Sequence, residues 1–344
     1  MQRRVTTAAG LLMGLVAAWL ALRGLKVDDL GTVLTAIGPA VAFVFLPQAL
    51  SMGLDSAALA FLLRRLGYVT AFARVARCRV AVEFMAVVLP AGAVVADGTL
   101  PVLLNRWAGV RSPDGVAAVA ARKLMIWRAH AGCLLLAGIA AALGGGSELT
   151  RKKSTVILLF AAGLMVSVLS ALLALLAGSA RPASRVRGLL MRIPLARLRE
   201  ALAEAEAHFH VTDARLAQAT RMRAVRVHLL YLAAWLARVL EPFVILRLAG
   251  APLSFVDVLA AETLVGVARS AMVVVPAGLG VQELGWSMFL RAAGVPDPAA
   301  LTGALALLRR MREAFWAAAG YVLLMKRPGE RDPLEPEVAG VEVQ

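Results

Sequence analysis

Cysteine is nearly absent from this chain. Cys78 and Cys133 are the two in 344 residues, and neither has a ligand spacing or an evident partner. Disulfide and metal chemistry are therefore not expected. Histidine is almost as scarce: His130, His208, His210 and His228 make no metal-ligand spacing with one another, with cysteine or with a carboxylate. His208 and His210 would point to different faces of a helix. Gly278-Leu279-Gly280 superficially resembles a nucleotide loop, yet no strand and no Walker lysine accompany it. These absences argue against an enzyme and call for no cofactor. Acidic residues are also few, 22 against 37 Lys and Arg, a formal net charge of +15.

Apolar residues fill the space, at 60% of the chain with a mean hydropathy of +0.76. A soluble domain is nearer half apolar. Runs long enough to cross a bilayer lie at roughly 6–22, 37–62, 115–143, 155–178, 224–249 and 299–325, since ~20 residues cover the hydrocarbon core. The expectation is an all-α, polytopic integral membrane protein, and its basic surplus then requires no nucleic acid. Met1-Gln2-Arg3-Arg4 followed by an apolar run suits an uncleaved first helix better than a signal peptide, because no clean small-x-small site follows.

The most informative feature is an internal repeat. Val88-Leu89-Pro90-Ala91-Gly92-Ala93-Val94-Val95-Ala96-Asp97 returns as Val275-Pro276-Ala277-Gly278-Leu279-Gly280-Val281-Gln282-Glu283. Each copy places an acidic residue seven positions after the proline and then runs to Gly-Val, at Gly109-Val110 and Gly294-Val295. Arg65-Leu66-Gly67 with Phe72 resembles Leu248-Ala249-Gly250 with Phe255. Gly115, Arg122, Trp127 and Gly132 keep one offset from Gly303, Arg310, Phe315 and Gly320. A duplication in so apolar a chain is the mark of a two-repeat membrane transporter.

With Arg3 and Arg4 cytoplasmic and six crossings, 21 Lys and Arg fall inside and seven outside, the bias that orients membrane proteins. Only Arg151-Lys152-Lys153 pulls the other way. The two repeats, roughly 37–143 and 224–325, would then be inverted, with both termini cytoplasmic and a site near the midplane between them. Residues 1–36 form a first helix and outer loop. Residues 144–223 form a linking helix and a basic arm, amphipathic over 195–218, suited to anionic headgroups. Residues 326–344 are Pro/Glu-rich and expected to be disordered.

Within each repeat an interrupted apolar unit, 80–108 or 256–293, is too short on either side of its break to cross. The breaks are Pro90 and Gly92 in one copy, and Pro276, Gly278 and Gly280 in the other. Each unit reads as a re-entrant pair of half-helices, tolerated where the broken backbone lines protein or a wet cavity. A Pro/Gly kink in one tilted helix is the alternative, and it would change the number of crossings.

Charges inside a membrane need partners or water. Glu83 and Arg269 each precede a Pro-Ala-Gly proline by seven residues, and they are expected to meet as an ion pair near the repeat axis. Asp97 and Glu283 open the second half-helices; capping of free amides and contact with a polar substrate are both compatible with that place. Arg309 and Glu313 are four apart and read as an intrahelical pair, which leaves Arg310 and Arg312 in need of an anion. Arg122, Lys123 and Arg128 occupy the related helix of the first repeat, where arginine forks suit phosphate; snorkelling to the interface competes for Arg122 and Lys123. Glu241, Arg238 and Glu262 complete the expected lining, and Arg74, Arg77 and Arg79 suit the membrane surface.

The segment 275–283, Gly294-Val295 and Leu307-Leu308-Arg309-Arg310-Met311-Arg312-Glu313 together resemble the C-terminal signature of the flippase-like family. That family comprises the transmembrane region of lysylphosphatidylglycerol synthases and its stand-alone relatives. Trp235-Leu236-Ala237-Arg238-Val239-Leu240-Glu241 with Arg247-Leu248-Ala249-Gly250 resembles a branch associated with hopanoid biosynthesis. The resemblance covers roughly 5–325. The first signature departs from the commoner form, Gly-Asp with an arginine three on, since Ala96-Asp97-Gly98-Thr99-Leu100 places leucine there; a headgroup arginine at 100 is not carried over. Nor is aminoacyl transfer, whose soluble domain is not among these residues. The resemblance implies movement of a phospholipid, isoprenoid-linked lipid or hopanoid across a bacterial cytoplasmic membrane, with membrane lipids as partners. Two other classes stay open: a scaffold docking lipid-biosynthesis enzymes through the basic arm, and a membrane-embedded lipid transferase.

Overall fold

The computed structural model describes residues 27–89, 91–178, 221–271 and 280–325, and every regular element among them is helical. α1 (Val27–Ile37) continues through a 3-10 segment (Gly38–Val44) into α2 (Phe45–Arg65). α3 (Phe72–Val88), α4 (Gly92–Ala108) and α5 (Ser112–Ala142) complete the first repeat. A short α6 (Glu148–Arg151) and a long α7 (Lys153–Gly178) follow. The second repeat is α8 (Arg221–Leu248), α9 (Phe255–Ala271), α10 (Val281–Ala292) and α11 (Pro298–Met325). The expected first helix at 6–22, the amphipathic arm at 195–218, the tail 326–344 and the residues Pro90, Pro276 and Gly278 lie outside the described residues.

Four helical runs are long and apolar enough to cross a membrane: Gly31–Arg65, Ser112–Ala142, Lys153–Leu172 and Val225–Leu248. The first begins earlier than expected, so the boundary placed at residue 37 falls inside a helical run. α11, at 28 residues, has the length, but Arg309, Arg310, Arg312 and Glu313 in its middle set it apart from an ordinary apolar span. Large apolar side chains face outward along α7, among them Ile157, Leu164, Met165 and Val168, each more than half exposed. Water would penalise such a surface and lipid would not.

The repeated sequence signals turn out to be helix stops. Gly67 and Gly250 both adopt positive φ, at 90° and 76°. Each closes its helix with the same two bonds: Gly67 N to Arg64 O (3.1 Å) and Tyr68 N to Leu63 O (3.1 Å), then Gly250 N to Arg247 O (3.1 Å) and Ala251 N to Leu246 O (2.9 Å). These are Schellman closures, which require a left-handed residue. Gly294-Val295 repeats the pattern onto Arg291 and Leu290. At the first break, a Cβ on Gly92 would fall 2.5 Å from the Met85 carbonyl oxygen, with Ala86 as close. Any larger residue would push α4 off the end of α3.

The interrupted units are helical hairpins and not single kinked helices. The Arg77 guanidinium lies 4.7 Å over the Trp107 ring, joining the far ends of α3 and α4, and Val75, Cys78 and Val82 share a core with Ala96, Leu100 and Leu104. In the second copy Trp286 Nε1 of α10 donates to Glu262 Oε2 of α9 at 3.0 Å. α3 and α4 are each about 26 Å long and α10 about 18 Å, short of the ~30 Å hydrocarbon core.

The repeats exchange partners. α5 packs on α9, while α11 packs on α3, and α2 packs along α8. A Cβ on Gly320 would come within 2.6 Å of the Val80 carbonyl oxygen, so α11 and α3 meet backbone to backbone. Polar groups secure the loops. Tyr68 Oη donates to Asp114 Oδ2 at 2.6 Å; burial and this bond hold the phenol above its usual pKa. Asp257, at the start of α9, accepts from Thr150 Oγ1 (2.5 Å), Ser147 N (2.7 Å) and Ser254 Oγ (2.7 Å), tying the loop after α5 to α9. Burial alone would raise the Asp257 pKa, but these bonds outweigh it and hold it below the usual value.

Candidate functional site

Asp55 is the one charged residue in the apolar run 37–62, and the helix packing explains what it does there. It is buried on α2 between two arginines. Arg122 of α5 grips it with both arms of its fork, Nε to Oδ1 at 2.8 Å and Nη2 to Oδ2 at 2.6 Å. Arg79 of α3 adds Nε to Oδ2 at 2.8 Å and reaches Glu83 through Nη2 at 3.0 Å. Such bidentate, charge-assisted contacts are the strong ones. Arg79 is therefore an interior residue rather than one for the membrane surface. The third Arg122 nitrogen, Nη1, reaches Asp97 Oδ1 of α4 at 3.1 Å, and Lys123 Nζ reaches Asp97 Oδ2 at 2.7 Å. Arg122 does not snorkel; it is pinned inside. Lys123 stays about half exposed while making its pair.

The second repeat builds a counterpart from α11. Arg309 Nη2 reaches Glu262 Oε2 of α9 at 2.6 Å, and Nη1 reaches Gln282 Oε1 of α10 at 2.9 Å. Arg310 Nη2 reaches Glu283 Oε1 of α10 at 2.7 Å, and Nη1 reaches Glu313 Oε2 at 2.6 Å. Arg312 Nη1 reaches Glu241 Oε2 of α8 at 2.5 Å and Gln48 Oε1 of α2 at 3.1 Å. Successive residues on a helix turn by about 100°, so Arg309 reaches α9 and α10, Arg310 reaches α10 alone, and Arg312 reaches α8 and α2.

Several sequence expectations change here. Arg309 and Glu313 do not pair, because Arg309 turns toward α9 and α10 while Glu313 serves Arg310 and, at 3.5 Å, Arg312. Arg310 accordingly has two acidic partners instead of none. Glu83 and Arg269 do not pair with each other: Glu83 is taken by Arg79 one helical turn away, and Arg269 makes no ion pair among the described residues. Asp97 sits in the second turn of α4, past the free amides a cap would serve, and no side-chain cap is made at the start of either α4 or α10. Both carboxylates turn to arginine. The result is a matched set: Arg122–Asp97 and Arg310–Glu283 join equivalent positions of the two repeats.

These groups surround a cavity of about 350 Å³ to which seven helices of both repeats contribute. Its walls carry six cations (Arg79, Arg122, Lys123, Arg238, Arg269 and Arg312) and three carboxylates (Glu83, Asp97 and Glu313). Gln48, Ser270, Trp127, Trp235 and Trp316 also line it. His130 stacks on Trp235 with ring centroids 4.2 Å apart, and its Nε2 lies 2.8 Å from the Thr263 carbonyl oxygen, to which it donates. Followed outward through its ion pairs, the cavity's charge network also takes in Asp55, Glu241, Glu262, Glu283, Arg309 and Arg310. Eight cations then stand against seven carboxylates. Of the expected substrate-binding residues, Asp97, Arg122 and Arg312 line the cavity directly; Glu262, Glu283 and Arg310 belong to the network behind it.

Asp55 and Gln48 were missed in the sequence. The signal for Asp55 was its isolation in an apolar run, where a lone carboxylate demands a partner; Gln48 offered no comparable signal.

Comparison with curated proteins finds no match. The family model described as the lysylphosphatidylglycerol synthase TM region matches residues 7–317. The chain is an integral membrane protein and belongs to that family.

Proposed function

We propose that this protein moves a polar or anionic lipid between the leaflets of a bacterial cytoplasmic membrane, with both termini on the cytoplasmic side. The observation that carries the reading is the cavity: about 350 Å³, cationic in its walls, and built by helices of both repeats. A cavity of that size suits a headgroup, and the outward apolar faces of the helices leave acyl chains in the bilayer. In this reading the repeats are inverted, and the hairpins α3–α4 and α9–α10 enter the membrane from opposite faces. The exchange of partners, α5 on α9 and α11 on α3, supports a two-fold relation between the halves. Rocking of one half against the other would open the cavity to each face in turn. The pairs Arg122–Asp97 and Arg310–Glu283 hold the short helices to the long ones in both halves, so their charges stay neutralised while the halves move.

The lipid is a phospholipid, an isoprenoid-linked lipid or a hopanoid carrying a polar head. The test is transbilayer movement in vesicles made with the purified protein. A lipid labelled on its head becomes accessible to a membrane-impermeant quencher only if it crosses. Faster crossing than in protein-free vesicles is the expected result; identical rates would refute the reading.

A further inference from the structure

Among the described residues, every charged group in the network is hydrogen-bonded or ion-paired except two. Arg238 of α8 and Arg269 of α9 line the cavity and make no hydrogen bond or ion pair among the described residues. Arg238 approaches the Trp235 ring at 5.8 Å, a weak substitute for a contacting carboxylate, and Glu83, Glu262 and Glu241 attract it at longer range without touching it. They come from neighbouring helices and lie close enough to repel each other, while Glu262 and Glu313 attract Arg269 at longer range without contact. Two adjacent guanidiniums without a contacting carboxylate are costly inside a membrane protein, and no contact among the described residues offsets that cost. The network as a whole carries eight cations and seven carboxylates, an excess of one positive charge.

We infer that Arg238 and Arg269 are the anion-binding residues of the cavity, and that the group they take is a phosphodiester bearing one negative charge. Two guanidinium forks match the free oxygens of a phosphodiester. One negative charge brings the occupied network to neutrality, so the head's charge stays neutralised within the protein while the cavity opens from one face to the other. A zwitterionic head would leave the excess in place, and a doubly charged monoester would reverse it. This inference rests on the reading of the cavity as a headgroup site and adds the residues and the charge class.

The test uses the full chain in neutral detergent, with emission from Trp127, Trp235 and Trp316, which line the cavity, as one readout. The probes are short-chain phosphatidylmethanol (one negative charge), short-chain phosphatidylcholine (none) and inorganic phosphate. Phosphatidylmethanol is expected to bind at least tenfold tighter than phosphatidylcholine. Arg238→Gln and Arg269→Gln should each weaken it by about tenfold to a hundredfold, the loss of one charge-assisted contact. The second readout is thermal stability. Removing an unpaired buried charge should raise the midpoint by roughly 2–4 °C, whereas removing a structural partner would lower it. Arg238→Lys and Arg269→Lys, which keep the charge and lose the fork, should fold as the wild type does and bind weakly. Unchanged phosphatidylmethanol binding in the glutamine variants, or a lowered midpoint in both, would overturn the inference. Inorganic phosphate competing at the same concentration as phosphatidylmethanol would overturn the lipid as occupant. Arginine-dependent binding by a protein that moves no lipid would support the anion site and refute transport alone.

Discussion

Asp55→Asn is the sharpest perturbation of the interior. The substitution keeps the shape of the side chain and removes its charge. Three contacts of 2.6–2.8 Å end on this carboxylate, two from Arg122 and one from Arg79, and the asparagine oxygen can keep only part of them. Arg122 retains Asp97 and Arg79 retains Glu83, but both arginines are less than a tenth exposed. Removing one partner of a buried pair costs about 3–5 kcal/mol. The retained partners argue for the lower end, about 3 kcal/mol. Thermal unfolding of the purified protein in detergent measures it. A cycle with Arg122→Gln sharpens the result: once Arg122 is neutral, Asp55→Asn should cost at least ~1 kcal/mol less than in the wild type. A wild-type midpoint for Asp55→Asn, or costs that simply add in the double variant, would refute the account of α2, α3 and α5 as joined through this carboxylate.

Further outcomes follow from the same geometry. Gly320→Leu should separate α11 from α3 and lower the thermal midpoint, because even a Cβ there meets the Val80 carbonyl at 2.6 Å; overpacking of this kind costs about 1–3 kcal/mol. Asp257 contributes stability that is full above the ordinary carboxyl range and is lost as pH falls through its lowered folded value; Asp257→Asn should lower stability at neutral pH and flatten the acid limb of a stability–pH profile. Charge reversal at both Glu83 and Arg269 should not restore what either single reversal loses, because Glu83 is paired with Arg79; recovery in the double variant, read as folded yield, would show a Glu83–Arg269 pair. Glu283→Gln should lower the thermal midpoint, because it removes a buried partner of Arg310, but by less than Asp55→Asn, because Arg310 keeps Glu313; a wild-type midpoint would show that the pair does not hold α10 to α11.

The sequence made the membrane class legible, because composition alone decides it. It also made the equivalence of Asp97 with Glu283 and of Arg122 with Arg310 legible, because the Pro-Ala-Gly and glycine spacings that align the repeats are geometric necessities. Gly67, Gly250 and Gly294 all end helices in a left-handed turn, and Gly92 sits against the carbonyls of α3. What stayed hidden was which charge meets which. Partner choice depends on helix rotation and on long-range packing, and a chain alone states neither. Arg309 and Arg310 look toward α9 and α10, whereas Arg312, two residues on, looks toward α8 and α2. Asp55 carried no motif, and its partners lie 24 and 67 residues away. The Glu83–Arg79 pair was within reach of local reasoning, since i,i+4 neighbours compete with any distant partner; the symmetry of Glu83 with Arg269 obscured it.

The most direct test of the central claim, that the cavity holds the head of a transported lipid, is to find where that head goes. A phospholipid with a photoactivatable group on its head can be reconstituted with the protein, irradiated, and its attachment sites mapped by peptide mass. The account predicts attachment to the cavity walls, at α5 near Trp127, α8 near Trp235 and α11 near Trp316, reduced in Arg238→Gln and Arg269→Gln. Attachment confined to the outward apolar face of α7, at Phe160, Leu164 and Met165, would contradict it.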